Sequence, residues 1–360
     1  MNSVYIHIPF CKSICSYCDF CKQLYNETNI NKYLKALKEE IMDRYHDELL
    51  DTLYIGGGTP SSLNMNELKE LFEIIKLLNV KDSCEFTFEC NVNDITQELI
   101  EFLYSNKVNR LSIGIESFNK DKLKFMERFS DYEDVKNKID MIRNIGINNI
   151  NVDLMYGIPG ETLKDLKQDL NLILKLKPDH ISTYSLILEE YTKLTINKVE
   201  PIDEELELEM FNYIRKKLKS KKYNHYEISN FALNQKESIH NLNYWNNEEY
   251  YGFGLGAHGY IDGIRYENTK NFNKYIENDF VAKQEFVGIR EKQENELMLG
   301  FRKIKGINLQ EFFDKYEVNI QDAFPVKPLL KNKDLIYKNG YIFINPEKLY
   351  IMNEILLKLI

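Results

Sequence analysis

Short runs rich in β-branched and aromatic residues alternate with helical patterns along the first half of this 360-residue chain. The helical segments carry their apolar residues on one face, as Ile30, Leu34 and Leu37 do before the second run. Strands that alternate with amphipathic helices form βαβ units and a parallel sheet. The predicted strands are residues 4–8, 52–55, 84–89, 110–115, 151–155 and 180–186. Periodicity alone leaves open whether these units form an open sheet or a partial barrel.

The character of the sequence changes after this region. A helical pattern over 204–218 leads to a strand-like stretch at 226–231. Residues 248–259 are rich in glycine and aromatic residues, and we predict a loop there.

The C-terminal part again shows helical patterns, at 294–302 and 309–316, followed by a predicted hairpin over 335–344 with Asn339-Gly340 at its turn. We therefore expect three parts. These are a domain of βαβ units over 1–230, a segment over 231–284 that packs on it, and a small, mainly helical C-terminal domain over 285–360.

Composition and charge narrow the class of protein. The formal net charge of -9 argues against a nucleic-acid partner. The N-terminal residues lack the pattern of a secretory signal, and no apolar run approaches the length of a membrane-spanning helix. We expect a cytoplasmic protein, in which clustered cysteines stay reduced and bind metal more often than they form disulfides.

Four of the six cysteines lie close together near the N-terminus, with the spacing Cys11-x3-Cys15-x2-Cys18 followed by Cys21. Zinc sites usually combine two close pairs of ligands, and no second pair follows here. Three thiolates on one loop can instead bind three irons of a 4Fe-4S cluster and leave the fourth iron open. Cys21 is the alternative fourth ligand, which would close the cluster and make it an electron carrier. Cys84 and Cys90, on a predicted strand, are expected to be small buried hydrophobic residues.

Glycines and carboxylates follow the predicted strands where a ligand would bind. Residues 56–60 have the sequence Gly-Gly-Gly-Thr-Pro directly after the second strand, and glycine lets the backbone approach a ligand closely. Glu89, Glu116 and Asp153 each end an apolar strand. Because the carboxyl ends of parallel strands lie at one edge of the sheet, these groups predict a site for a polar ligand.

The cysteine spacing, with Tyr17 before the third cysteine and the glycine run after the second strand, resembles the radical S-adenosylmethionine (SAM) superfamily. The stretches YIHIPFC, GGGTPSSL, RLSIGIESF and NVDLMYGIPGET are more specifically similar to the HemN/HemW family of that superfamily. The resemblance implies a partial (β/α)6 barrel, a 4Fe-4S cluster on Cys11, Cys15 and Cys18, and SAM bound at the open iron.

The resemblance also implies which side chains contact these cofactors. They are Tyr5, Tyr17, Phe20, Gly57, Gly58, Thr59, Glu89, Glu116, Arg128 and Asp153. Three positions depart from the family pattern: Glu116 stands where glutamine is usual, Phe129 replaces a frequent histidine, and Val92 replaces a proline. Cleavage of SAM is therefore in question, although assembly of the cluster is expected.

Residues 240–245, HNLNYW, resemble the HNxxYW motif of the HemW branch, and the first strand begins too early for the N-terminal extension of the HemN branch. By this resemblance His240 is expected to contact heme, since histidine is a common axial ligand of heme iron and aromatic residues can cover the porphyrin. His258, in a further matching stretch, is expected to be a packed loop histidine.

The resemblance implies a heme chaperone that binds heme and delivers it to apo-hemoproteins, with the cluster and SAM controlling transfer or supporting dimerisation. Two alternatives stay open. One is an oxygen-independent coproporphyrinogen III oxidase, and the other is an electron-transfer protein whose cluster is closed by Cys21. The sequence leaves undecided the recipient proteins, a homodimeric state and peripheral contact with a membrane.

Overall fold

The computed structural model describes residues 2–360 of the chain. Its strands are β1 (Ser3–Ile8), β2 (Phe10–Cys11), β3 (Gln23–Leu24), β4 (Leu50–Gly57), β5 (Val80–Asn91), β6 (Arg110–Glu116), β7 (Ile150–Tyr156), β8 (His180–Ser185), β9 (Asn224–Glu227), β10 (Asn230–Ala232), β11 (Tyr251–Phe253), β12 (His258–Ile261), β13 (Ile264–Asn268), β14 (Val281–Phe286), β15 (Ile307–Asn308), β16 (Leu335–Lys338) and β17 (Tyr341–Ile344).

The α-helices of the same residues are α1 (Glu27–Arg44), α2 (Met65–Ile75), α3 (Gln97–Ser105), α4 (Lys120–Phe125), α5 (Tyr132–Ile145), α6 (Leu163–Leu176), α7 (Lys193–Ile196), α8 (Glu204–Ser220), α9 (Ile239–Trp245), α10 (Phe272–Ile276), α11 (Ile289–Gly300), α12 (Leu309–Tyr316), α13 (Ile320–Ala323), α14 (Val326–Lys331) and α15 (Met352–Leu356).

The six predicted strands are confirmed as β1, β4, β5, β6, β7 and β8. They pair in parallel and in chain order, so each strand lies beside the next one along the sequence. Short strands extend both edges of the sheet. The strand β11 pairs in parallel with β1, and the antiparallel strands β10 and β9 follow β8. This is the expected α/β architecture, with β11 and β9 as edge strands.

The prediction of a loop over residues 248–259 is wrong, because this stretch contains β11 and the start of β12. Gly252 is needed for close approach of two strands rather than for a turn. A Cβ atom at this position would lie 1.7 Å from the carbonyl oxygen of His258. The stretch predicted as one strand at 226–231 is instead divided between β9 and β10, which pair with each other.

Polar side chains define where several helices begin. Asn64 caps α2 by accepting the backbone N–H groups of Asn66 and Glu67, and the Glu67 carboxylate accepts the N–H of Asn64 in return. Thr162 and Asp165 form the equivalent pair at the start of α6. Such caps satisfy N–H groups that have no partner within the helix, and each stabilises its helix by about 1 kcal/mol.

One face of the parallel sheet is apolar and lies under a layer of helices. Neighbouring pairs in this layer include α1 with α2, α3 with α5, α5 with α6, and α6 with α8. The side chains of this face are fully buried, and they are Val4, Ile6, Leu53, Ile55, Phe88, Leu111, Ile113, Val152, Leu154 and Ile181. Helix packing on this face therefore supplies the main hydrophobic core.

The opposite face of the same strands is polar although most of it is also buried. Alternation along each strand and the strand register place one polar set on this inner face: Ser3, Tyr5, His7, Thr52, Tyr54, Glu85, Thr87, Glu89, Arg110, Ser112, Asn151, Asp153, His180 and Ser182. Buried polar groups need hydrogen-bond partners, so this face needs further polar groups to cover it.

Residues after β8 provide those partners. The hydroxyl group of Tyr226 lies 2.7 Å from Nε2 of His180, whose Nδ1 lies 2.6 Å from Oδ1 of Asn151. At the start of α9, the Glu85 carboxylate accepts the backbone N–H groups of Ile239 and His240 at 3.1 and 3.0 Å. The segment that follows β8 thus supplies hydrogen-bond partners to the inner face.

A second hydrophobic core belongs to the C-terminal part, where Leu297, Phe301, Phe312 and Ile355 pack together. The predicted helix over 309–316 is confirmed as α12. The predicted hairpin is confirmed as β16 and β17, with Asn339 and Gly340 at φ 52° and 79°. Two successive residues with positive φ are what a two-residue hairpin turn requires. The division at residues 230 and 284 stays a prediction.

A buried ion network anchors the loop after β6. The Lys122 ammonium donates to the Glu161 carboxylate at 2.6 Å, to the Asp169 carboxylate at 2.9 Å and to the carbonyl oxygen of Met155 at 3.0 Å. Asp169 also accepts the backbone N–H of Phe118 at 2.8 Å. Because all three ionic side chains are buried, the network fixes the path of the loop that leads to residue 128.

We expect Lys122→Met to lower the free energy of unfolding by roughly 3–5 kcal/mol, because it leaves two buried carboxylates without their cation. Urea denaturation at pH 7 measures the change. The control is Lys76→Met, which removes an exposed pair with Glu73 and should cost less than about 1 kcal/mol. Equal losses in both variants would contradict the role assigned to the buried network.

Candidate functional site

A cavity of about 440 Å³ opens at the carboxyl ends of the parallel strands. All but two of the site residues expected from the sequence line it: Cys11, Cys15, Tyr17, Cys18, Phe20, Gly57, Gly58, Thr59, Glu89, Glu116, Arg128 and Asp153. The two exceptions are Tyr5 and His240, which lie elsewhere on the inner face. The roles of these residues stay predictions, but the structure brings the set together at one place.

The three cysteines lie on one loop that is closed at its base and bonded to α4. The backbone N–H of Tyr25 donates to the carbonyl oxygen of Cys11 at 2.9 Å, and the Ser16 hydroxyl group donates to the carbonyl oxygen of Phe125 at 2.8 Å. The Thr59 hydroxyl group donates to Sγ of Cys11 at 3.4 Å. Burial raises the pKa of the Cys11 thiol to about 11 and also raises the pKa of Cys18.

The three thiols of the loop share one cavity. Within residues 2–360, no three His, Cys, Asp or Glu side chains are grouped closely enough to hold a single metal ion. In a 4Fe-4S cluster each cysteine binds a different iron, so three thiols spaced around one cavity fit it. The raised pKa values of Cys11 and Cys18 mean that iron must displace protons from these two thiols on binding.

Cys21 lies apart from the other three. Its side chain does not line the cysteine cavity but a neighbouring one, where its Sγ atom lies 3.0 Å from the position that a Cβ atom on Gly256 would occupy. Cys84 and Cys90 are buried in the hydrophobic core, as expected.

A guanidinium group connects the cysteine loop to the carboxylates. Arg128 donates to the carbonyl oxygen of Gly114 at 2.6 Å and lies 3.4 Å from Oε1 of Glu116. Its other terminal nitrogen lies 3.8 Å from Sγ of Cys15. Glu116 has a φ of 66° at an irregularity in the pairing of β6 with β7. A non-glycine residue in this strained conformation is held in place by its surroundings and often marks a functional site.

The cavity carries an excess of carboxylates. Burial raises the pKa of Glu89, which accepts the Tyr54 hydroxyl group at 2.6 Å and the backbone N–H of Gly57 at 3.0 Å. Burial, reinforced by the nearby Glu116 carboxylate, raises the pKa of Asp153 to about 7. A cationic ligand would relieve this repulsion. SAM carries a sulfonium and an amino group for the carboxylates and a carboxylate for Arg128, so the charges of the cavity fit it.

Packing within the protein accounts for part of the glycine run. Gly57 has a φ of 112°, and a Cβ atom there would lie 2.4 Å from the His7 ring. A Cβ atom on Gly58 would lie 2.6 Å from the backbone of Pro9, and the N–H of Gly58 donates to the carbonyl oxygen of Ile8. Both glycines line the cavity, but their own neighbours already exclude a larger side chain.

His240 is buried and has no free ring nitrogen in this structure. Its Nδ1 atom lies 2.8 Å from Oγ1 of Thr52, and its Nε2 atom lies 2.7 Å from the hydroxyl oxygen of Tyr244. Burial lowers the pKa of His240 to about 3, so the ring is neutral. Trp245 packs against the Arg302 guanidinium, 5.2 Å from its ring centre. In this conformation His240 cannot bind iron, and the expected heme contact lacks support from the geometry.

His258 also differs from expectation. It was predicted to be packed in a loop, but it lies on β12 with its side chain 59% exposed. The correction follows from the new strand, because a strand at the edge of a small sheet leaves alternate side chains facing solvent.

Several cavity residues were missed by sequence reasoning. Ser112 and Asn91 line the cavity, and each stands on the same strand face as a carboxylate that had been recognised. Because side chains alternate between the two faces of a strand, counting in steps of two from Glu89 and Glu116 could have found them. The irregular pairing between Gly114 and Glu116 obscures this alternation in β6. Tyr184 lies at the carboxyl end of β8, where only its position could have indicated a role.

Comparison with known proteins gives a consistent result. Residues 5–173 match the model of the radical SAM superfamily. The chain is 38% identical to the heme chaperone HemW of Bacillus subtilis strain 168, over 99% of this chain and 98% of that protein. It is also 38% identical to the HemW protein of Lactococcus lactis subsp. lactis strain IL1403, over 94% of this chain and 91% of that protein.

Among solved structures, the coproporphyrinogen III oxidase HemN of Escherichia coli, a radical SAM enzyme, superposes with a TM-score of 0.87. The match covers 99% of this chain and 89% of HemN at 20% sequence identity. At this identity the similarity establishes the fold alone, with its parallel sheet and outer helices.

We expect Cys18→Ala to lose the cluster and Cys21→Ala to keep it, because Cys18 lines the cavity with Cys11 and Cys15, whereas Cys21 lines the neighbouring one. Iron and sulfide content after anaerobic reconstitution measures the difference. Iron in Cys18→Ala should fall below about a quarter of the wild-type content. Loss of iron in Cys21→Ala would instead identify Cys21 as a cluster ligand.

Binding of SAM should weaken as the pH falls through about 7, because Asp153 loses the negative charge that attracts a cation. From pH 8 to pH 6 this single group should lower the affinity by up to about tenfold. Equilibrium dialysis with reconstituted protein measures it.

The matched variant Asp153→Asn should bind more weakly at pH 8 and lose this part of the pH dependence, while any dependence that remains belongs to the ligand and to other groups. Identical pH profiles for both proteins would contradict the role of Asp153.

Proposed function

This chain belongs to the HemW family, and from that membership we propose that it is a heme chaperone, which binds heme and transfers it to apo-hemoproteins. The observation that carries the proposal is similarity over almost the whole length of both chains to proteins named heme chaperone HemW. The alignment with the Bacillus subtilis protein covers 99% of this chain and 98% of that protein.

The radical SAM domain implies a 4Fe-4S cluster and SAM. We propose Cys11, Cys15 and Cys18 as cluster ligands, because they share one cavity. When bound, the cluster supplies an electron that can cleave the carbon–sulfur bond of SAM. The remaining work falls to side chains of this protein. Glu89 and Asp153 attract the cationic groups of SAM, and Arg128 orients its carboxylate.

Tyr17, Phe20, Gly57, Gly58 and Thr59 complete our proposed set around SAM, because they line the same cavity. The expected contact of Tyr5 with SAM has no such support, since Tyr5 lines the neighbouring cavity.

Glu116 is expected to weaken the ion pair between Arg128 and the carboxylate of SAM. Its carboxylate already lies 3.4 Å from the guanidinium, and a SAM carboxylate would have to share that cation or displace Glu116. A glutamine at this position would leave the guanidinium free of a charged competitor. We therefore propose that SAM binds here mainly as a structural or regulatory ligand, and that its cleavage is slow.

The two alternatives have less support. The fold of a porphyrinogen oxidase is shared, but a fold can carry unrelated functions, and 20% identity does not transfer an activity. A closed electron-carrier cluster needs a fourth thiolate beside the three cysteines of the loop. Cys21 lines a different cavity, and Cys90, which borders the cysteine cavity, belongs to the buried hydrophobic core.

We further propose that the protein acts in the cytoplasm, since its cysteines must stay reduced to bind iron. Among residues 2–360 no helix combines the length and the apolar character needed to cross a membrane. Dimerisation and peripheral contact with a membrane stay predictions from the resemblance.

We expect the anaerobically reconstituted protein to bind hemin with a stoichiometry near one and to donate it to apomyoglobin. Absorbance in the Soret region follows both steps. The transfer rate should rise with the concentration of apomyoglobin if donation requires contact, whereas release into solution would make the rate independent of it.

Hemin loaded on serum albumin is the control for non-specific carriage. Absence of hemin binding, or decarboxylation of coproporphyrinogen with formation of 5′-deoxyadenosine, would overturn the proposal in favour of an enzyme.

A further inference from the structure

A second cavity, of about 410 Å³, lies beside the cysteine cavity. Four aromatic side chains line it: Tyr5, Phe20, Tyr244 and Tyr250. Its volume falls within the range of small-molecule sites, and aromatic walls favour a flat conjugated ligand. Phe20 is exposed and borders both cavities, so a ligand here would lie next to the cysteine loop.

Apart from the tyrosines, three side chains of this cavity belong to types that bind heme iron, namely His7, Cys21 and His258. His7 is not available. Its Nε2 atom donates to the carbonyl oxygen of Cys21 at 2.7 Å, and its Nδ1 atom accepts the hydroxyl group of Tyr5 at 2.9 Å. Burial lowers the pKa of His7 to about 4, so the ring stays neutral and keeps both bonds.

His258 and Cys21 are available. The imidazole of His258 is more than half exposed, and its nearest charged neighbour is the Glu267 carboxylate at 3.8 Å, beyond hydrogen-bond distance. Cys21 is a free, half-buried thiol. Unlike His240, neither side chain has to leave a buried hydrogen-bond network in order to bind iron.

The charges at the rim suit an amphipathic porphyrin. Lys270 lines the cavity and is exposed enough to reach a propionate, although it also lies 3.4 Å from the Glu267 carboxylate. Asp19 lines the same rim and would repel a propionate. The rim thus carries a cation, Lys270, on one side, and the interior is lined by aromatic side chains.

We propose that this second cavity is the heme site, with His258 as an axial ligand of the iron, Cys21 as the other iron-binding group and Lys270 beside a propionate. This inference rests on the proposed function, because it names the place where the cargo of a heme chaperone binds. It moves the heme contact from the buried His240 to groups that a ligand can reach.

Hemin titration of the reconstituted protein and its variants tests the site. His258→Ala should weaken binding at least tenfold, and Cys21→Ala should shift the Soret maximum, since a sulfur ligand changes the electronic spectrum of the iron. Neither substitution should unfold the protein. His258 is exposed, and the bond from His7 goes to the backbone of Cys21 rather than to its thiol.

The matched control is His46→Ala. His46 is exposed and its ring lies near Tyr251, beside the N-terminal end of β1, so its loss should leave the hemin affinity unchanged within about twofold. His240→Gln is the competing variant, since an amide can keep hydrogen bonds to Thr52 and Tyr244 but is a poor ligand of heme iron. Circular dichroism and iron content confirm that each variant is folded and carries its cluster.

The outcomes separate the two proposals. Wild-type binding that is lost in His258→Ala and kept in His240→Gln supports the site. Wild-type binding that both His258→Ala and Cys21→Ala leave unchanged, or that is lost only in His240→Gln, overturns the site and leaves the chaperone function standing. Absence of binding in the wild type overturns the function itself.

Discussion

The buried polar face of the parallel sheet needs hydrogen-bond partners, and this need determines how the rest of the chain packs on it. The parallel strands present apolar side chains to the helices and polar side chains to the interior, where a single unpartnered group costs about 1–3 kcal/mol. The chain after β8 meets this demand by inserting its own polar groups. Tyr226 is hydrogen-bonded to His180, the first backbone N–H groups of α9 donate to Glu85, and His240 is hydrogen-bonded to Thr52. The segment that contains residues 240–245 is therefore part of the framework around the parallel sheet.

The same polar face continues toward the carboxyl ends of the strands and lines the cofactor cavity. There the ratio of carboxylates to cationic groups rises. Near α9 the Glu85 carboxylate and the His240 ring are hydrogen-bonded within the protein, although Nε of Arg110 has no partner. At the carboxyl ends of the strands the carboxylates of Glu89, Glu116 and Asp153 outnumber the guanidinium of Arg128. An excess of negative charge that burial makes costly is a reason to bind a cation. The competition between Glu116 and a ligand for Arg128 is a further consequence of this arrangement.

Sequence reasoning succeeded where a residue's neighbours along the chain decide its environment. The predicted strands, the hairpin turn at Asn339-Gly340 and the burial of Cys84 and Cys90 all depend on local periodicity or turn chemistry. It failed where a distant segment decides. The glycine-rich stretch 248–259 becomes a strand only because the edge of β1 is free to pair with it, and such pairing has no local signature.

The sequence by itself determined the order of the six main parallel strands, the cluster-type spacing of Cys11, Cys15 and Cys18 and the family of the chain, because short-range spacing carries all of these. Only the tertiary structure decided which polar groups are consumed by the fold and which remain free for a ligand. His240 and His258 are both histidines in matching motifs, yet one is enclosed by Thr52 and Tyr244 and the other faces solvent. Their difference depends on contacts between residues nearly 200 positions apart, which no local pattern encodes.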